Sequence, residues 1–119
     1  MYRPNASTVA LLIAVMMARF GKTRARISNV TLKKISRRSQ FRNKFLSDLR
    51  LELEEWDYIL VGLDRGGFGI LAISTLEGAT PVTANKFIAK EIGDMKKGKL
   101  NEEALSEELT TDFVDTDDE

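Results

Sequence analysis

Between residues 39 and 56 the apolar residues Phe41, Phe45, Leu49, Leu53 and Trp56 recur at spacings of 4, 4, 4 and 3. That period belongs to one face of an α-helix and not to a strand. The spacing predicts a helix over residues 39–56, roughly 25 Å long at its usual rise. At about 100° per residue, Gln40, Asn43, Lys44, Ser47 and Arg50 turn toward the opposite side, which is polar and basic with no carboxylate before Glu54.

The neighbouring segments fit around that helix. Asn5 or Ser7 caps a first helix that runs to about Phe20, with Gly21 as its stop. Nearly all its sides are apolar, so it is expected at the centre of the fold. Residues 24–30 read as a short strand or an extended approach. Thr31 then caps a short helix over residues 32–36, with Leu32 and Ile35 inward and Lys33 and Lys34 outward. Arg37, Arg38 and Ser39 form the turn before the 39–56 helix, short enough for a helix-turn-helix.

Downstream, two apolar runs at residues 58–63 and 68–73 flank a Gly66-Gly67 turn and read as a β-hairpin. Thr80-Pro81 opens a further helix to about Met95, carried by Ala84, Phe87, Ile88 and Ile92. Residues 96–99 are a basic linker. Residues 101–119 hold nine acids and no base, which points to a disordered tail with at most a fraying helix near residues 102–109. The expected class is therefore mainly α with a small β-hairpin (α+β), in two parts: a domain over residues 1–95 and a linker with acidic tail over 96–119.

A formal net charge of zero conceals a strong asymmetry. Residues 1–50 carry twelve basic side chains and one acid, Asp48, a net of +11, and residues 51–119 carry six basic side chains and 17 acids, a net of −11. Such a split points to a polyanion-binding surface on one half, the alternative being two solvated faces that neutralise each other.

The chain has no Cys and no His. That excludes thiolate and imidazole nucleophiles, a His general base and zinc-finger ligand sets. Gly21-Lys22-Thr23 ends like a phosphate loop, but that motif's first glycine falls at Met16 inside an apolar run. Asp112, Asp115, Asp117 and Asp118 lack the spacing and glycine of a calcium loop. Asp57 and Asp64 with Glu52, Glu54 or Glu55 show no nuclease-like lysine. No catalytic site, metal or cofactor is expected. The apolar run at residues 9–18 is too short to span a bilayer and is followed by Arg19, Lys22, Arg24 and Arg26, which oppose translocation, so a cytoplasmic protein is expected.

The element order helix, short strand, helix, tight turn, long helix, hairpin resembles the winged helix-turn-helix over residues 7–92. Within it, residues 31–36 followed by 41–56 look like a helix 2 and recognition-helix pair. Residues 73–78, Ile-Ser-Thr-Leu-Glu-Gly, resemble the threonine-x-x-glycine step after the wing in MarR-like and PadR-like regulators, with Ser74 where those have leucine.

The resemblance implies sequence-specific binding of double-stranded DNA by a transcriptional regulator or mobile-element factor, and because one recognition helix reads only a few base pairs, a homodimer on a palindrome is expected. Its contacts would be Gln40 and Asn43 to adenine edges, Lys44 to guanine or phosphate, and Ser47 to either. Lys33, Lys34, Arg37 and Arg38 would meet phosphates, and Arg65 at the hairpin tip the minor groove. Phe87, Ile88 and Ile92 are the candidate dimer interface. The rival is a protein-interaction module whose acidic tail, with Phe113, binds a protein partner.

Overall fold

The computed structural model describes residues 2–116 and separates into two compact units, Met1–Ala79 and Thr80–Glu119. The first unit runs α1 (Ala6–Phe20), β1 (Arg24–Ile27), α2 (Asn29–Ser36), α3 (Asn43–Glu54), β2 (Tyr58–Gly62), β3 (Phe68–Ala72) and α4 (Ile73–Glu77). The second holds α5 (Ala84–Phe87), α6 (Ala89–Lys96) and α7 (Glu102–Thr116). The class is mixed α+β, as expected. Among the described residues no helix is long and apolar enough to cross a membrane.

Local chemistry sets the helix ends. Asn5 is the cap of α1, its side chain accepting the Thr8 N–H at 2.9 Å, and Gly21 closes the helix in the left-handed region with its N–H on Met17 O. α2 starts earlier than expected: Ser28 Oγ accepts the Thr31 N–H at 3.1 Å, so Ser28 is the cap and Thr31 lies inside the helix. α3 is shorter at both ends than the 4-4-4-3 spacing implied. Phe41 leaves the helix to pack edge-on against Phe68 at 5.9 Å between ring centroids, which keeps residues 39–42 out of helical geometry. Trp56 lies beyond the helix end, half exposed.

The sheet is antiparallel in the order β1-β3-β2, so β3 is central. β1 is a full edge strand, running from Arg24 opposite Leu71 to Ile27 opposite Phe68. β2 and β3 form the expected hairpin. Its turn is centred on Asp64-Arg65, with the Gly66 N–H on Leu63 O at 3.0 Å, and the glycines follow at positive φ. That arrangement is a turn followed by a left-handed bulge residue rather than a two-glycine turn.

One core joins Val9, Ala10, Ile13 and Met17 of α1 to Leu32, to Phe45, Leu49 and Leu53 of α3, and to Ile27, Leu60, Phe68 and Ile70 of the sheet. α1 is not buried all round as expected, because Leu11 and Leu12 are each 44% exposed. One face of α1 packs on α3 and α2, and in so small a unit the other face stays in contact with solvent.

In the second unit the single helix expected over residues 80–95 is two short ones, broken at Ile88 with φ −133 and ψ 32. Neither holds a buried residue, and Phe87 is 62% exposed, so no apolar packing holds the break straight. The tail expected to be disordered carries α7. Asn101 Oδ1 caps it through the Ala104 N–H at 3.1 Å, and Glu102 and Glu103 sit in the first turn, where the helix dipole favours acids.

Candidate nucleic-acid interface

The candidate residues cluster on α2, the turn after it, the start of α3 and the hairpin tip, all within the first unit. Along α3, Phe45, Leu49 and Leu53 face the core. Asn43, Lys44 and Ser47 are exposed on the other side, as expected. Leu51 shares that side at 63% exposure, and Lys44 Nζ pairs with Asp48 at 3.2 Å. The basic side therefore has a carboxylate six residues, nearly two turns, before Glu54, where its sequence pattern placed the first one. Arg50 faces the hairpin, its Nε–H donating to Leu60 O at 3.3 Å.

Lys33 and Lys34 are exposed in the last turn of α2, where the dipole favours cations. Arg37 ends the helix at φ 56 and ψ 36, a left-handed conformation that glycine fills more readily, and its side chain is exposed. Arg38 behaves differently from its neighbour. Its Nη1 donates to Pro4 O at 2.8 Å and to Ser36 O at 3.1 Å, and the guanidinium lies over the Phe45 ring at 3.9 Å. Burial, and then the positive charge of Arg3, lower its pKa from the ordinary arginine value. This side chain ties the segment before α1 to the α2–α3 turn. Gln40, expected on the helix, lies in the turn before it.

These pieces frame a groove of about 430 Å³ beside the start of α3. Arg3, Arg38, Arg42 and Lys44 line it together with Gln40, and Asp48 is the acid in its wall. Arg3 and Arg42 were absent from the sequence-derived set. The density of bases over residues 37–44 could have suggested Arg42, but nothing local marks Arg3, which the chain brings back across α1.

Arg65 stands exposed on the hairpin tip. The turn beside it lies against the junction of β1 and α2: a Cβ on Gly67 would sit 2.7 Å from Ile27 O. Among the described residues no three carboxylates gather as a metal site would require. No protein-family model matches the chain, and neither a curated protein nor a solved structure does.

Proposed function

We propose that the first unit is a winged-helix domain that binds duplex DNA with sequence preference. In this reading α2 and α3 are the helix-turn-helix, the β2–β3 hairpin is the wing, and the protein works in the cytoplasm as a transcriptional regulator or mobile-element factor. The observation that supports it most is the division of α3. Its inner side is core, and its outer side presents Asn43, Lys44 and Ser47, short polar and basic groups suited to base edges, flanked by Lys33, Lys34 and Arg37 for phosphates. One such helix reads only a few base pairs, so a homodimer on a two-fold site is the natural working form.

The test is a salt series of binding to duplex DNA and duplex RNA. The reading expects log K to fall linearly with log salt on both, with sequence preference on DNA alone. Asn43→Ala should relax preference at one base pair by about 1–3 kcal/mol and leave random-sequence affinity unchanged. Equal losses on preferred and random duplexes would remove α3 from base reading, and no binding at low salt would remove the function.

A further inference from the structure

α1 is apolar on the side that faces away from its own core. Val9, Ala10, Ile13, Ala14 and Met17 are buried within the first unit. On the opposite side two rows run along the helix at a spacing of four, Ser7-Leu11-Val15-Arg19 and Thr8-Leu12-Met16. All seven residues are exposed or half-buried. A helix apolar on nearly all sides is ordinarily enclosed, and this one is enclosed on one side only.

The distribution of charge points to what covers the open side. Between Arg3 and Arg19 the chain carries no charged residue, although 30% of the whole chain is charged. The outward sides of α2 and α3, by contrast, expose Lys33, Lys34, Lys44 and Glu54. A face that meets its own copy across a two-fold axis brings every central charge against its like, so an uncharged centre suits self-pairing. The two ends of the face are complementary to each other. Arg19 stands at one end, exposed and without a salt bridge among the described residues. At the other end Ser7 shares a groove of about 280 Å³ with Asp48, Leu51 and Glu52 of α3. Lys44 engages Asp48, which leaves half-buried Glu52 without a cation among the described residues. Ser7 and Arg19 lie about 18 Å apart along the helix, too far for one chain to join its own two ends.

We propose that α1 is the two-fold interface of a homodimer, in which the Ser7-Leu11-Val15-Arg19 row lies antiparallel beside its own copy. Rows at a spacing of four pack ridge into groove when two helices cross at about 50°, the commonest class of helix packing. Run in opposite directions, the row sets Leu11 beside the partner's Val15 and Arg19 beside the partner's Ser7. Arg19 then lays its alkyl stem on the partner's Leu51 and its guanidinium against the partner's Glu52, twice over by symmetry. The proposal rests on the duplex-DNA reading for the reason to dimerise, and on α1 and α3 for the geometry. It places the seam on α1 rather than on Phe87, Ile88 and Ile92, and none of the seam residues belongs to the set proposed for DNA.

The test uses the full chain in sedimentation equilibrium without nucleic acid. A seam of one helix pair lies at the small end of stable interfaces, so dissociation in the micromolar range is expected. Leu11→Glu sets two carboxylates near the axis and should weaken the dimer by about a hundredfold while leaving far-UV circular dichroism unchanged. Arg19→Glu and Glu52→Arg each set like charges together at both ends, and each should weaken its own homodimer by about tenfold. Mixed in equal amounts, these two variants should form a heterodimer as tight as the parent dimer, because each end then joins an acid to a base. Native mass spectrometry reads that heterodimer directly.

A parent chain that stays monomeric up to about 1 mM overturns the interface even if it binds duplex DNA. A dimer that survives Leu11→Glu and separates on Phe87→Glu moves the seam to α5 and overturns it as well. A mixture of Arg19→Glu and Glu52→Arg no tighter than its parts overturns the antiparallel pairing, and this arm decides even if Leu11→Glu disturbs the helix. Preferred heterodimers in a chain that binds no duplex support the interface and remove the DNA reading.

Discussion

Arg37 and Arg38 are adjacent and chemically identical, yet the backbone gives them opposite tasks. Left-handed geometry at Arg37 costs a residue with a Cβ about 1–2 kcal/mol. A bulky exposed cation held there points to use of its charge rather than its fit. Arg37→Gly relieves the strain and adds unfolded-state freedom, so stability should stay within about 1 kcal/mol of the parent in urea denaturation. Random-duplex affinity should nevertheless fall, with a salt slope shallower by about 0.9. An unchanged slope would show that Arg37 does not meet phosphate. Arg38→Ala should do the reverse. Losing two carbonyl bonds and the ring contact should destabilise by on the order of 1–2 kcal/mol, and Arg38→Lys should recover little, since an ammonium cannot serve both carbonyls and stack. Nothing in the dipeptide distinguishes the two, because the difference arises from Pro4, which the chain places there from 34 residues upstream.

At the scale of elements, the hairpin turn offers a paired test. Gly66 and Gly67 both have positive φ, but a Cβ at Gly66 meets only Asn29 Nδ2 at 3.9 Å, while one at Gly67 would strike the Ile27 carbonyl at 2.7 Å. Gly66→Ala should cost about 1–2 kcal/mol of backbone strain alone. Gly67→Ala should cost more and loosen β1 as well, as thermal melts and the β1 amide shifts would show; equal melts would mean that the turn stands clear of β1. Elements whose signal is local were legible in the sequence: the α1 stop at Gly21, the buried Phe45-Leu49-Leu53 stripe, and the hairpin. Those decided at a distance were not. Phe41 and Trp56 continue the helical spacing, but one ring is drawn to Phe68 and the other passes the helix end. The Ser28 cap is not legible locally because Thr31 is as good a cap by type, and α7 is not because acid-rich composition outweighs the single signal of Asn101. The groove was illegible for the same reason as Arg38. It needs Arg3 and Arg42 beside the same groove, which only the packing of α1 against α3 brings together.

At the scale of the molecule, the asymmetry of charge follows the division into units. Met1–Ala79 carries 13 bases and seven acids, and Thr80–Glu119 five bases and 11 acids, a net of +6 against −6. A tethered polyanion competes with phosphate at high effective concentration. A chain ending at Leu100 should therefore bind random duplex more tightly than the full chain at low salt, and the two should converge as the Debye length shrinks toward roughly 8 Å near physiological ionic strength. Identical titrations would leave the acidic end a solubilising segment or, if a protein partner is lost in pull-downs, a docking one. The pairing of β1 with β3 has its own consequence. Ile27 lies opposite Phe68, so the ladder closes a ring of chain that contains both α2 and α3. Neither helix can swing away from the core unless that ring opens, and the short edge strand is where it opens most easily. Hydrogen exchange of the β1 amides then reports how often the helix pair is released. A ligand bound to α2 and α3 together should slow that exchange in a strand it never touches.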